Sequence, residues 1–353
     1  MDEPVTPSLR ASCASLYPLS RRAFLKGALA SAAAALPLAT LACGSDRSDS
    51  ALQVGGLPVT CNLTLPVACA ARAAAAGGRL PYVYQKFNGW PEIKESLMAG
   101  RIQAGYMLAP LVMDLADKGI PVKIVSLGHR SGAVIMVRTE SRVQHFRELS
   151  GKRIAIPSRF AVDFLFLRKM LARENMSPSE VELVEMAPPD MPAALFANAV
   201  DAYCTGEPFG AAAQRAGYAR PLRMTRDEWP QYICCVLTVR DELIAENRAL
   251  VQDLVNQVLG AGVWLDELPD HREQAIQIAA GRDYFNQDPA VLRFVMQNPS
   301  DRVTYGDLRM IRAEFEELMR LSVEAGTIQH PVPYEHYLDE SFARDARPAA
   351  IQL

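Results

Sequence analysis

The sequence is poor in several features that would point to other functions. Its 353 residues include five histidines and seven cysteines, and the net charge is −3 at pH 7. That near-balance excludes the basic footprint of a nucleic-acid binder. The cysteines are Cys13, Cys43, Cys61, Cys69, Cys204, Cys234 and Cys235, with no C-x-x-C pair among them, so a zinc ribbon or thioredoxin-like site is not expected. The histidines (His129, His145, His271, His330 and His336) are scattered and fall outside the motifs described below, which argues against Ser-His-Asp or Cys-His hydrolysis. The chain is therefore read as a non-enzyme, and no cofactor is expected. No internal repeat is evident. Half of the residues are apolar, yet beyond Ala42 no apolar run is long enough to cross a bilayer.

The N-terminus carries an export signal instead. Ser20-Arg21-Arg22-Ala23-Phe24-Leu25-Lys26 is a twin-arginine sequence, followed by a weakly apolar, Ala-rich run from Gly27 to Ala42. Such signals are addresses for export of folded proteins and do not count as structure. Cys43, followed by Gly44-Ser45-Asp46, resembles a lipoprotein cleavage site. The chain would then sit at the outer face of the cytoplasmic membrane, held by lipid at Cys43. Cleavage nearby would leave it free in the periplasm. Five cysteines remain beyond Cys43, an odd number, so at least one is free unless it pairs between chains. The oxidising compartment permits disulfides.

After the signal, strand and helix patterns alternate, which implies α/β layers around mostly parallel sheets. Strands are expected at 51–54, 82–87, 103–107, 122–127, 133–137, 181–185, 202–204 and 231–240, with a turn and then a strand within 148–157. Helices are expected at 65–75, 93–99, 110–118, 163–174, 191–198, 243–247, 248–267, 271–284 and 308–325. About 310 residues suit two lobes better than one core. The expected organisation is a signal over 1–42, a polar Gly/Ser-containing linker over 43–57, and a first lobe of 58–138 plus 237–330. A second lobe covers 139–236, and a polar tail over 331–353 wraps the surface. Two crossovers, near 138–140 and 235–239, make a hinge with a ligand cleft between the lobes.

Several segments carry a family resemblance. They are Phe87-Asn88-Gly89-Trp90, the run Leu97-Met98-Ala99-Gly100-Arg101-Ile102-Gln103-Ala104-Gly105-Tyr106-Met107-Leu108-Ala109-Pro110, and Gly151-Lys152-Arg153-Ile154-Ala155-Ile156-Pro157. Pro188-Pro189-Asp190-Met191, Asp201-Ala202-Tyr203-Cys204-Thr205-Gly206-Glu207-Pro208-Phe209 and Asp301 to Arg309 complete the set. Together these resemble the nitrate/bicarbonate branch of ABC-transporter solute-binding proteins, a group that also includes sulfonate, taurine and thiamine-precursor binders. The resemblance covers roughly 58–343. It implies an α/β, two-lobe, type II periplasmic-binding-protein fold. It also implies capture of a small molecule or ion outside the membrane and delivery to permease and ATPase subunits.

The resemblance also implies where a ligand would sit. Trp90 follows a strand and offers an indole N–H. Met107, Leu108 and Ala109 end a strand at the cleft, where backbone N–H groups of the next helix can hold an anion. Ser158, Arg159 and Asp163 lie in the loop and helix start after Ile156, with Arg159 as a cationic partner. Glu207 either accepts from a ligand or metal or pairs across the hinge. Where nitrate binders carry Trp-Pro-x-His-Pro-x-Lys-Val-Leu, this chain has Trp229-Pro230-Gln231-Tyr232-Ile233-Cys234-Cys235-Val236-Leu237, so Tyr232 replaces His and Cys235 replaces Lys. A buried nitrate would lose its cationic partners there.

Three cargo classes stay open. One is a neutral organic solute walled by Tyr232 and Trp90. Another is a small anion on backbone and Arg159. The third is a soft metal or thiophilic ligand on Cys61, Cys204, Cys234 and Cys235, places that approach the cleft, with Met107 adding a thioether. Cys61 and its neighbour Asn62 follow the first strand. A disulfide, or cysteines packed as small hydrophobes, would remove the metal reading. An occupancy sensor and an enzyme of the thiamine-precursor type are the rival functions.

Overall fold

The structure, a computed structural model, describes residues 51–77, 80–230 and 232–353. The twin-arginine sequence, Cys43 and residues 43–50 of the expected linker lie outside the described residues. Leu52–Gly56 forms β1 and is largely buried, so the end of that stretch is a core strand rather than linker. After a single 3-10 turn come α1 (Thr64–Ala75), β2 (Tyr82–Lys86), α2 (Trp90–Met98), β3 (Ala104–Leu108), α3 (Ala109–Asp117) and β4 (Val122–Leu127). Pro91 and Pro110 open α2 and α3, where the missing N–H costs nothing. Gly100 and Gly119, at φ +67° and +70°, close the same helices.

The chain then leaves this sheet through the short β5 (Arg130–Ser131) into β6 (Ala133–Arg138), β7 (Arg153–Ile156), α4 (Val162–Arg173), β8 (Glu182–Glu185), α5 (Met191–Phe196) and β9 (Ala202–Gly206). Next are α6 (Phe209–Arg215), β10 (Ala219–Met224) and α7 (Thr225–Glu228), before β11 (Cys235–Arg240) returns to the first sheet. The first sheet has the order β2-β1-β3-β11-β4, and the second β10-β6-β9-β7-β8. Each is mixed. β11 runs antiparallel to β3 and β4, while β6 runs antiparallel to β9 and β10.

The crossovers therefore fall earlier than the sequence reading placed them. β6 pairs with β9 and β10, so the outward crossing is at Ser131–Gly132 rather than 138–140. The return precedes β11, and the strand expected over 231–240 is described from Cys235. An apolar strand such as Ala133–Val137 fits either sheet, and only its long-range partners decide. Gly132 has φ +94°, and a Cβ there would lie 2.9 Å from Val303 Cγ2, so the crossing accepts glycine alone without strain.

The rest is α8 (Asp241–Glu267), α9 (Pro269–Ala280), α10 (Pro289–Gln297), β12 (Val303–Thr304), α11 (Arg312–Glu324), α12 (Tyr334–Tyr337) and α13 (Ser341–Arg344). The break expected after Asn247 is a kink inside α8, where Asn247 leaves helical φ/ψ and its Oδ1 accepts the Leu250 N–H. β12 pairs with β5 as a two-stranded ribbon beside the crossing. α6, β10 and α10 have no counterpart in the sequence reading. The segment expected to be a polar wrapping tail is instead part of the core. Tyr334, Tyr337, Leu338 and Phe342 are all buried, and Leu338 bridges to Ile124 of β4.

Candidate functional site

The carboxyl ends of β1, β3 and β4 and the start of the antiparallel β11 lie at one end of the first sheet. Ligands of open α/β sheets bind at such ends. Cys61 follows β1, His129 follows β4, and Cys235 opens β11 opposite Leu108 of β3. One ligand atom from each of Cys61, His129 and Cys235 lies within 4.8 Å of the others, and all three residues are buried. Cys234 Sγ is 3.8 Å from Cys235 Sγ. His129 Nε2 accepts the Cys235 N–H at 3.3 Å.

The second sheet closes over this group. Thr60 donates both its N–H (2.8 Å) and its hydroxyl (3.1 Å) to the Glu207 carbonyl, and the Glu207 N–H goes to Gly132. Gly206 comes so close that a Cβ would sit 3.1 Å from Cys61 Sγ. From α4, Asp163 Oδ2 faces the Cys234 thiol at 4.0 Å, and the Asp163 carbonyl accepts the Cys204 thiol at 3.5 Å. The two crossovers are tied together where the Ser131 N–H donates to the Tyr232 carbonyl. The Tyr232 ring packs edge-on to Trp229 and Phe166.

Burial sets the protonation of this region. It pushes the Asp163 carboxyl up to about 7 and the His129 imidazole down to about 4, so the imidazole is neutral at neutral pH. Burial likewise holds the Cys204 and Cys235 thiols well above the usual range. For Cys61 and Cys234 the first cause of the upward push is a hydrogen bond with a neighbouring thiol, Cys234 and Cys235 respectively, with burial adding to it. All five described cysteines are free thiols, so the disulfide alternative is set aside. Cys69 lies apart, in α1.

Among the described residues, a group of buried polar atoms at these strand ends has no hydrogen-bond partner: Asn62 Nδ2, Trp90 Nε1, His129 Nδ1, Asp163 Oδ1, Thr205 Oγ1 and Tyr232 OH. Each follows, ends or immediately precedes a strand on the junction side. An unsatisfied buried polar group costs on the order of 1–3 kcal/mol, and a cluster of them asks for a functional explanation.

The expected site residues divide accordingly. Cys61, Asn62, Asp163, Tyr232 and Cys235 belong to the buried junction. Met107, Leu108 and Ala109 are fully buried, but the Ala109 N–H is spent on the Cys234 carbonyl at 3.1 Å and is not offered to an anion. Trp90 and Ser158 line a groove of about 350 Å³, with Asn88, Glu92, Glu185 and Pro188. Arg159 does not enter the junction. Its half-exposed guanidinium pairs with Glu185 at 3.3 Å, because the loop before α4 turns it outward.

Glu207 is committed to Arg302, with Nη2 2.5 Å from Oε1, and also accepts the Ala211 N–H. Its burial raises the Glu207 pKa, opposed by Arg302 and the adjacent backbone N–H groups. Of the two expectations for Glu207, the pairing is the one observed. His129, expected outside the motifs placed in the cleft, lies beside Cys61 and Cys235 in the buried junction. The only local signal was its position directly after an apolar strand, in Leu127-Gly128-His129.

Residues 45–280 match the NMT1-like family. The nitrate/nitrite binding protein NrtA of Nostoc sp. (strain PCC 7120) is 26% identical over 286 residues, which is 73% of this chain and 62% of that protein. This chain thus spans about three fifths of that relative's length. Among solved structures, a ligand binding component of an ABC-type import system from Staphylococcus aureus, with zinc bound, superposes with TM-score 0.76 at 27% identity. That match covers 85% of this chain and 100% of that one. The periplasmic nitrate-binding protein NrtA from Synechocystis PCC 6803 superposes with TM-score 0.73 at 16% identity, over 84% of this chain and 87% of that one. The fold is that of these periplasmic binding proteins, as the sequence resemblance implied.

Proposed function

The chain belongs to the NMT1-like family, and on that premise we propose that it captures a small solute outside the cytoplasm and delivers it to the permease and ATPase of an ABC importer. The observation that carries this reading is the set of unpartnered buried polar atoms at the facing strand ends of two sheets. A ligand enclosed there would satisfy donors and acceptors that the protein alone leaves unmet. Two crossovers joined by the Ser131–Tyr232 backbone hydrogen bond suit opening and closing, so that affinity depends on the closed state.

Export by the twin-arginine route, with an anchor at Cys43 or free release, would put the cleft on the side where such solutes are met. Relatives named as binding proteins support binding rather than turnover. A nitrate-like cargo is disfavoured by the charges. Among the described residues the two buried guanidiniums are Arg130 and Arg302, and each already holds a carboxylate, Glu314 or Glu207. The residues proposed to meet the solute are Asn62, Asp163 and Tyr232, together with the buried thiols and imidazole, and Trp90 walls the entrance.

The test is native mass spectrometry of the exported protein, before and after denaturation, followed by a thermal-shift panel of nitrate, bicarbonate, sulfonates and metal salts. A ligand released on denaturation, whose stabilising effect is lost in Tyr232→Ala, supports the reading. Turnover of a panel member, or no adduct and no shift across the panel, overturns it.

A further inference from the structure

We propose that Cys61, His129 and Cys235 bind a thiophilic d10 metal ion, Zn(II) or Cu(I), with Cys234 as fourth donor. The site itself stands on the side-chain cluster. That the ion is the transported cargo rests on the function proposed above.

The donor set is the first reason. Two thiols and one imidazole converge within 4.8 Å with no water-facing surface, and thiolate with imidazole selects Zn(II) and Cu(I) over hard cations. The spacing is the second. Two sulfurs bound to one tetrahedral zinc at about 2.3 Å each stand about 3.8 Å apart. Cys234 and Cys235 Sγ are 3.8 Å apart without a disulfide. These two residues are adjacent, yet their sulfurs share one side because Cys234 lies before the strand and Cys235 is its first residue. A regular strand would send them to opposite faces.

The third reason is what surrounds the donors. His129 is fully buried, and its Nδ1 has no hydrogen-bond partner among the described residues. Its Nε2 now accepts the Cys235 N–H at a long 3.3 Å, a weak contact that a metal bond would replace. Asp163 Oδ1, buried and unpartnered, stands on the element facing Cys234 and supplies negative charge or a hydrogen-bond acceptor beside the ion. Buried cysteines packed merely as small hydrophobes would not require an imidazole within 4.8 Å of two thiols, nor a buried carboxyl facing a third.

The arrangement also explains access. Cys61, His129 and Cys235 all hang on the end of the first sheet, whose strands β1, β11 and β4 hold them in fixed register. The cover is Gly206 of β9 in the second sheet and Asp163 of α4, which follows β7 of the same sheet. Opening the hinge would expose a preformed donor set, and closing it would bury the ion. Each thiol that binds the metal loses its proton to solvent, so loading releases protons and leaves metal–thiolate bonds with no change of oxidation state.

The experiment is metal titration of the purified, reduced full chain, with Zn(II) in one arm and Cu(I) under anaerobic conditions in the other, each against a chelator of known affinity. Co(II) serves as a spectroscopic substitute for zinc. One ion per chain is expected, with thiolate-to-cobalt charge-transfer absorption. Cys61→Ser and Cys235→Ser should each weaken binding by at least roughly tenfold, while Cys69→Ser should not. The arm with the tighter competition identifies the ion. Absence of stoichiometric binding in both arms for the wild-type protein overturns the site, and leaves the solute-binding reading to its own ligand panel. Binding without thiolate absorption, or binding unchanged in both serine variants, also overturns it. The cobalt spectrum of the wild-type chain decides the matter even if a serine variant fails to fold.

Discussion

Arg302 Nη2 lies 2.5 Å from Glu207 Oε1, and both side chains are buried, one just before β12 and the other just after β9. The pair joins the C-terminal half of the chain to the second sheet at the point where Glu207 also receives Thr60. A buried ion pair is weak evidence for stability in itself, yet losing one partner strands the other charge.

Glu207→Gln should therefore destabilise the fold by about 3–5 kcal/mol, and Arg302→Met by a similar amount, since each leaves a buried charge uncompensated. The double variant should be much closer to wild type. Urea denaturation of the three variants measures this. Additive losses would show that the two side chains do not act as a pair.

Gly132 makes a second prediction. Its φ of +94° and the Val303 side chain 2.9 Å from where a Cβ would sit leave no room for a larger residue. Gly132→Val should cost on the order of 1–3 kcal/mol through backbone strain alone, with steric displacement of the β5–β12 ribbon in addition. Thermal denaturation compared with Gly151→Val, at a position of similar φ but with nothing within 4 Å, separates the two contributions. Equal losses at both sites would leave the Val303 contact without weight.

Much of this architecture was legible from local pattern, and the failures share a cause. β4 and α2 were readable because apolar periodicity, an opening Pro and a closing Gly all lie within one element. The place of β6 was not, because Ala133-Val134-Ile135-Met136-Val137 is apolar on both faces and its sheet is set by partners about 70–90 residues away. His129 was missed for the same reason. Its meaning comes from Cys61 and Cys235, 68 and 106 residues distant in sequence, and no local motif links them. Cys61 and Cys235 themselves were named because the family resemblance placed those positions near the cleft. Arg159, expected as a cationic partner, pairs with Glu185 instead of entering the junction, and a loop of ordinary composition does not say which way its cation turns.

Trp90 offers a third prediction. Its indole is buried, with Nε1 unpartnered, and its ring borders the groove with Ser158 and Pro188. Trp90→Ala should weaken binding of the ligand found by the panel by more than roughly tenfold, the scale of one well-buried aromatic contact. Trp90→Phe should restore most of that if the ring acts as a wall, and little if the N–H is the contact. Isothermal titration of both variants gives the answer, and unchanged affinity in Trp90→Ala would remove the residue from the site.

The C-terminal segment supplies the last prediction. Its sequence is polar on average, which is why it reads as a surface tail, but averages hide spacing. Tyr334, Tyr337 and Leu338 point inward, and Phe342 is fully buried, with the Arg248 guanidinium 4.0 Å from its ring centroid. The Leu338–Ile124 bridge and the Asp339 N–H donating to the Ile124 carbonyl fasten the segment to the edge strand β4, which would otherwise present unpaired backbone groups. β4 leads directly into His129, so the segment supports the strand that carries the candidate donor. Phe342→Ala should cost about 3–5 kcal/mol as an aromatic deletion in a packed interior, and truncation before Tyr334 should cost more and expose the β4 edge. Urea denaturation measures the first, and hydrogen exchange across residues 122–129 measures the second. A truncated chain with wild-type stability and undiminished protection in β4 would return this segment to the role of a surface tail.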